Sequence, residues 1–235
     1  MPRTTPVCRD LADVAPVPCP CGESRRVITA ADDVVMGFHV TTIRDAEAHF
    51  HRRTEEIYYV LEGTGELVVH GSSFDLSPGT VVYVRPGCVH RGDGGFVAAI
   101  VCLPPFDPDD EVLVAGSDEL ACPCLGPVCR RLEEVEPIRS ACGSSTRLIT
   151  RDDQVLVGLH VVRICEAETH YHERTTEIYH ILEGAGVLRV GEEAFELSPG
   201  VTVYVPAGVP HGGEGDFTSI VVCAPPFDPA DHIVV

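Results

Sequence analysis

His49-Phe50-His51-Arg52-Arg53-Thr54-Glu55-Glu56 and His170-Tyr171-His172-Glu173-Arg174-Thr175-Thr176-Glu177 are one stretch written twice, 121 positions apart. In each, two histidines separated by one residue precede a carboxylate, and a third histidine follows downstream, His90 or His211. On an extended chain side chains alternate between faces, so His49 and His51 point the same way. A lone buried histidine is more often a hydrogen-bonded core residue than a ligand. Three imidazoles and one carboxylate kept in register twice instead suit a divalent transition metal. The candidate ligands are His49, His51, Glu56 and His90, then His170, His172, Glu177 and His211.

Working outward, the shift of 121 matches residues 8–114 with 129–235 without a gap, and about half of the positions are identical. Glu62-Gly63 meets Glu183-Gly184, and Ser77-Pro78-Gly79 meets Ser198-Pro199-Gly200. The chain is therefore an internal duplication. Its expected organisation is a first domain over 1–114 with an N-terminal arm, a linker over 115–128 and a second domain over 129–235. The register also chooses between two adjacent acids, because Glu56 meets Glu177 whereas Glu55 meets Thr176.

Within the first copy the apolar runs are short and β-branched, at 34–43, 57–61, 66–70, 80–84 and 96–103. Gly-rich and Pro-Gly turns divide them, and no stretch of a dozen residues carries a 3.6-residue apolar period. Each copy is an antiparallel all-β domain, a sandwich or a barrel. On the strand that carries Glu56, Tyr58 shares its face and Tyr59 takes the other. His90 follows a different strand and a Pro-Gly turn, from which it can reach the same cavity.

Composition narrows the partners. The net charge is −19, and every basic side chain is arginine. Nucleic acid and anionic membrane surfaces repel such a chain. Without lysine there is no Schiff-base chemistry. No apolar run approaches the eighteen residues of a membrane-spanning helix, and residues 1–20 show no apolar signal-peptide core, so the expected setting is cytoplasmic. The expected partner is a small-molecule substrate, and the expected assembly a monomer or homodimer. In a reducing compartment the eleven cysteines read as thiols. The Cys-x-Cys pairs Cys19/Cys21 and Cys122/Cys124 are tighter than the usual Cys-x2-4-Cys of a zinc site, which favours buried or arm thiols.

The pattern His-x-His-x4-Glu-x6-Gly, then Gly-x7-Gly-x2-His, resembles the paired motifs of the cupin superfamily, present here in tandem as a bicupin. Its residues are His49, His51, Glu56, Gly63, Gly79, Gly87 and His90, and again His170, His172, Glu177, Gly184, Gly200, Gly208 and His211. The resemblance implies two tandem double-sheet jelly-roll barrels with their ligands pointing inward. One departure is Arg85, where the second copy keeps the usual turn proline, Pro206.

Mixed nitrogen and oxygen ligation suits Fe, Mn, Ni or Zn, one ion per barrel, and leaves coordination positions open for substrate or dioxygen. The family implies a metal-dependent oxidoreductase of the dioxygenase type acting on a chelating organic acid, enol or phenol. The alternatives are a metal-dependent isomerase or decarboxylase of a sugar or keto acid, and a non-catalytic binding protein. Tyr58 and Tyr179, beside the carboxylates, are the candidate catalytic groups, with core filling as the competing role. His39 and His160 read as surface or interface histidines, with orienting a ligand as the alternative; Tyr59 and His180 read as outer-face residues, with a place between the barrels as a further option; and Arg53-Thr54 and Arg174-Thr175 read as solvated loop. The Phe106-Asp107-Pro108 and Phe227-Asp228-Pro229 segments read as strand exits.

Overall fold

The computed structural model describes residues 3–114 and 125–235. Residues 115–124 of the expected linker, with Cys122 and Cys124, lie outside the described residues. Ten strands precede the linker: β1 (Val7–Asp10), β2 (Val17–Cys19), β3 (Gly22–Ile28), β4 (Gly37–Asp45) and β5 (His49–His51), then β6 (Glu55–Val69), β7 (Ser72–Leu76), β8 (Thr80–Val84), β9 (His90–Leu103) and β10 (Glu111–Leu113). Ten follow: β11 (Val128–Arg131), β12 (Ile138–Ser140), β13 (Gly143–Ile149), β14 (Gly158–Glu166) and β15 (His170–His172), then β16 (Thr176–Val190), β17 (Glu193–Leu197), β18 (Val201–Val205), β19 (His211–Ala224) and β20 (His232–Val234). All pairings are antiparallel, and the helical elements are single 3-10 turns among the described residues.

Two compact units result, Ala15–Glu133 and Met1–Val14 with Glu134–Val235. The first has the strand order β11-β8-β6-β9-β4-β3-β2, and the second β1-β18-β16-β19-β14-β13-β12. Each is a jelly-roll barrel, so the chain is all-β with two barrels. The edge strands are exchanged between copies. Strand β1 pairs with β18, Val7 opposite Tyr204, and β11 pairs with β8, Val128 opposite Tyr83. Both arms read Val-Cys-Arg, so an internal comparison cannot tell which edge each arm completes.

The apolar runs at 57–61 and 66–70 form one strand instead of two. A register shift between Val60 and Glu62 lets β6 continue for fifteen residues. This bulge reverses the alternation, so Tyr58 and Val60 before it and Leu67 and Val69 after it face one core. The second unit repeats this with Tyr179 and Ile181, then Leu188 and Val190. Gly63 and Gly184 follow the bulge at φ +78° and +84°. A Cβ at either would strike the carbonyl of Gly95 or Asp216 on the neighbouring strand, which is why the motif needs glycine there. Phe96 and Phe217, each 1% exposed, belong to the two cores, and each such side chain stabilises its unit by about 2–3 kcal/mol.

Candidate metal centres

Backbone register builds both sites. His49 on β5 lies directly opposite His90 on β9, and Glu56 on β6 lies between Val84 of β8 and Cys102 of β9. The second unit repeats this, with His170 opposite His211 and Glu177 between Val205 and Cys223. One donor atom from each of His49, His51, Glu56 and His90 falls within 4.8 Å of all the others, as it does for His170, His172, Glu177 and His211. All eight residues are buried, and Glu55 takes no place in either set.

The hydrogen bonds fix which ring nitrogen faces the centre. Nδ1 of His49, His90, His170 and His211 lies 2.8, 3.0, 2.9 and 3.0 Å from the carbonyls of Glu47, Cys88, Glu168 and Val209. His172 Nδ1 donates to Asp231 O at 2.9 Å. A carbonyl only accepts, so each of these Nδ1 atoms carries a proton and Nε2 faces inward, where His211 Nε2 donates to Glu177 Oε2 at 2.9 Å in the metal-free protein. His90 Nε2 makes no hydrogen bond although Glu56 Oε2 is only 3.0 Å away. A buried carboxylate ringed by three imidazole Nε2 atoms, which shed any proton they hold when a metal binds, fits a divalent cation.

Burial would raise the Glu56 and Glu177 carboxyls, but the surrounding imidazoles outweigh it and hold both well below the usual range. Burial also pushes the Tyr58 and Tyr179 phenols far up, and the adjacent carboxylate adds to this. Both phenols stay neutral and donate to the ligand glutamate, Tyr58 to Glu56 Oε2 at 3.2 Å and Tyr179 to Glu177 Oε2 at 2.9 Å. The Cys102 and Cys223 thiols lie against the other carboxylate oxygen, at 3.8 and 3.5 Å. The nine described cysteines are all free thiols.

Several sequence expectations change here. His39 and His160 are 6% and 5% exposed and line the cavities instead of the surface, because β4 and β14 run along the barrel wall. Tyr59 and His180 keep the expected face opposite the ligands, where they are buried at 4% and 3%. Thr54 and Thr175 are buried rather than solvated. Asp110 Oδ2 accepts from Thr54 N and Oγ1 at 3.0 and 2.8 Å, and Asp231 Oδ2 from Thr175 N and Oγ1 at 3.1 and 2.8 Å. Phe106 and Phe227 are cavity walls, with the Arg26 and Arg147 guanidiniums 4.7 and 4.9 Å above their rings. Arg85 instead lies 5.2 Å above the Tyr83 ring, outside the cavity lining. Arg26, Arg147, Asp110, Asp231, Glu111 and His232 were all missed by motif reading; the signal was their matched positions at the shift of 121.

The two cavities differ in size, at about 290 Å³ in the second unit and about 40 Å³ in the first. Ile100 in the first is replaced by Val221, and Pro20 by Ala141. Both replacements are smaller and lie on the lining.

Metal-free protein has a defined pH response. Burial pushes His39, His49, His160, His170 and His180 down to about 4. A histidine depressed below its ordinary 6.5 adds stability that is complete above 6.5 and is lost as pH falls toward 4. His90 and His211 run the opposite way: burial lowers them, but Glu56 and Glu177 more than compensate, so their stabilisation is present at low pH. His232 is lowered by burial as well, and Glu111 is raised by it, so six histidines oppose three groups. The melting temperature of chelator-stripped protein should fall as pH drops from 6.5 to 4.5; a flat or rising profile would contradict this charge assignment.

Residues 38–95 and 164–223 each match the family model described as Cupin domain. An uncharacterized protein of Streptomyces coelicolor is 30% identical over 99 residues, covering 41% of this chain and 94% of that protein. L-ectoine synthase of Mycolicibacterium gilvum is 35% identical over 89 residues, covering 36% of this chain and 67% of that enzyme. Among solved structures, Bacillus subtilis oxalate decarboxylase superposes with a TM-score of 0.76 at 16% identity, covering 97% of this chain and 78% of that one. Another structure of the same enzyme, studied for its Mn(II) centers, gives 0.74 at 15% identity, covering 97% and 79%. With the motif, the barrels and the inward ligand sets in agreement, the chain belongs to the cupin family as a two-barrel member.

Proposed function

We propose that this bicupin is a metal-dependent small-molecule enzyme whose second barrel binds a chelating organic acid and carries out a dioxygenase-type reaction on it. The observation that carries this reading is the larger cavity, where a complete ligand set faces a cation, Arg147, whose Nε is buried and without a hydrogen-bond partner. Ser140 Oγ, on the same lining, is likewise unpartnered. Buried polar groups are normally satisfied, so two orphans on a cavity wall fit a polar ligand. An acid group on Arg147, with a second oxygen toward His170, His172, Glu177 and His211, would span the cavity. An ion held by those four residues polarises a bound carboxylate or enolate oxygen and orients it. Tyr179 donates to Glu177 and keeps that carboxylate aimed inward.

A second reading is oxygen-independent decarboxylation or isomerisation, favoured by His232, an imidazole on the cavity wall able to carry a proton. The likeness to oxalate decarboxylase carries the fold and not the reaction.

Turnover of a panel of small carboxylic acids, aerobic and anaerobic, separates the readings. Loss of turnover without oxygen supports the dioxygenase, unchanged anaerobic turnover supports the second reading, and acids bound tightly but recovered intact leave a binding protein. Arg147→Gln should raise KM for the acid about tenfold or more with a smaller change in kcat, since a charge-assisted contact contributes about 1.5–3 kcal/mol. An unchanged KM removes Arg147 from substrate binding.

A further inference from the structure

Glu111 and His232 occupy the same place in the two units but differ in chemistry. Glu111, on β10, lies opposite His51 on β5; His232, on β20, lies opposite His172 on β15. Glu111 Oε1 is 3.9 Å from His49 Nε2, and its side chain is only 15% exposed. The His232 ring centroid is 4.2 Å from that of His170 and 5.5 Å from that of His172. Both residues line their cavities beside the ligand sets, and neither belongs to the set of donors within 4.8 Å. One set of four is thus bordered by a second carboxylate, and the other by a fourth imidazole.

We infer that Glu111 and His232 give the two barrels different cation preferences, the first leaning toward an oxygen-seeking ion such as Mn(II) and the second toward a nitrogen-seeking one such as Zn(II). Two carboxylates, Glu56 and Glu111, neutralise a divalent ion, whereas Glu177 alone leaves it a net positive charge. Carboxylate oxygen suits Mn(II), and imidazole suits Zn(II), Ni(II) and Fe(II). Every such site binds Zn(II) more tightly than Mn(II) in the Irving–Williams order, so the difference lies in the ratio of affinities and not in which ion wins. The inference rests on both sets of four binding metal, as the proposed function does, but not on which reaction follows.

The test measures Mn(II) and Zn(II) affinities separately by chelator competition, in full-length chains with one site disabled. His172→Ala leaves the first site and His51→Ala the second. The ratio Kd(Mn)/Kd(Zn) is expected to be at least tenfold lower for the first site than for the second. Adding Glu111→His to the His172→Ala chain should raise it about tenfold, and adding His232→Glu to the His51→Ala chain should lower it by a similar factor. Glu111→Gln, which keeps the shape and removes the charge, should fall between. Equal ratios at the two sites, or ratios unmoved by the exchanges, overturn the inference while leaving the metal sites standing. Absence of metal binding at both sites overturns the inference and the proposed function together. If a single-site chain fails to fold, the intact protein gives the same reading: its two-step Mn(II) isotherm should merge into one step in Glu111→His, and an unchanged isotherm counts against the inference.

Discussion

Protein carrying His172→Ala should retain about one metal per chain where the parent holds about two, and His51→Ala should do the same at the other site. Each substitution removes one inward Nε2 from a set whose other donors stay buried beside a carboxylate held ionised by its neighbours. Removing one of the four donors deletes a metal–imidazole bond outright, a larger loss than the roughly 10–100-fold that loosening a ligand's support costs. Elemental analysis of dialysed protein reads the result directly. Metal binding also stabilises the folded state, by about 4 kcal/mol at a thousandfold excess over Kd, so each variant should lose most of the metal-induced rise in melting temperature contributed by its own site. Unchanged metal content in either variant would defeat the assignment of that site.

The second large effect is expected at a residue that touches no metal. Asp231 is 3% exposed, and its Oδ2 accepts from Thr175 N, Thr175 Oγ1 and Arg174 N, while its backbone carbonyl accepts from His172 Nδ1. Burial would raise its carboxyl, but the Thr175 hydroxyl and the backbone amides hold it below the ordinary value, so it is ionised at neutral pH. It ties the turn between His172 and Glu177 to the segment after the last long strand. Asp231→Ala leaves these donors unsatisfied and should cost about 3 kcal/mol in stability. It should also weaken the second metal site by about tenfold or more, the usual consequence of loosening a ligand's support. Asp231→Asn should fall between, and Asp110→Ala should reproduce the loss in the first barrel, where Asp110 holds Thr54 and Arg53 in the same way. A melting temperature within a degree of the parent would show that the turn holds itself.

What was legible in the sequence was whatever repeats over short distances. The His-x-His spacing, the register that separates Glu56 from Glu55, and β-branched runs between Gly turns all survive as local patterns. Residues brought in from far along the chain were not legible. Glu111 and Asp110 reach the site from a polar segment that pairs with residues some sixty positions earlier, and nothing local marks that segment as a strand. Arg26 and Arg147 sit on strands whose alternation is mixed, and their role depends on the cavity in front of them. His39 and His160 read as surface groups because a histidine on a half-polar strand has no signature of burial. The runs at 57–61 and 66–70 look separate in the sequence because the bulge within β6 interrupts the period of two that identifies a strand.

The crossed arms, β1 on β18 and β11 on β8, bear on the ancestry of the chain. A forebear made of one repeat would have carried an arm with nowhere to go but a sibling's sheet, so two such molecules would trade arms and form a symmetric pair. Joining the repeats end to end turns that encounter, once dependent on concentration, into an event within one molecule. It also frees the halves to diverge, one keeping a narrow interior and the other opening a wide one, while each remains the other's obligatory edge. Severing the chain near residue 120 and expressing the pieces separately should therefore yield fragments that aggregate alone through an uncapped β8 or β18 and become soluble when mixed.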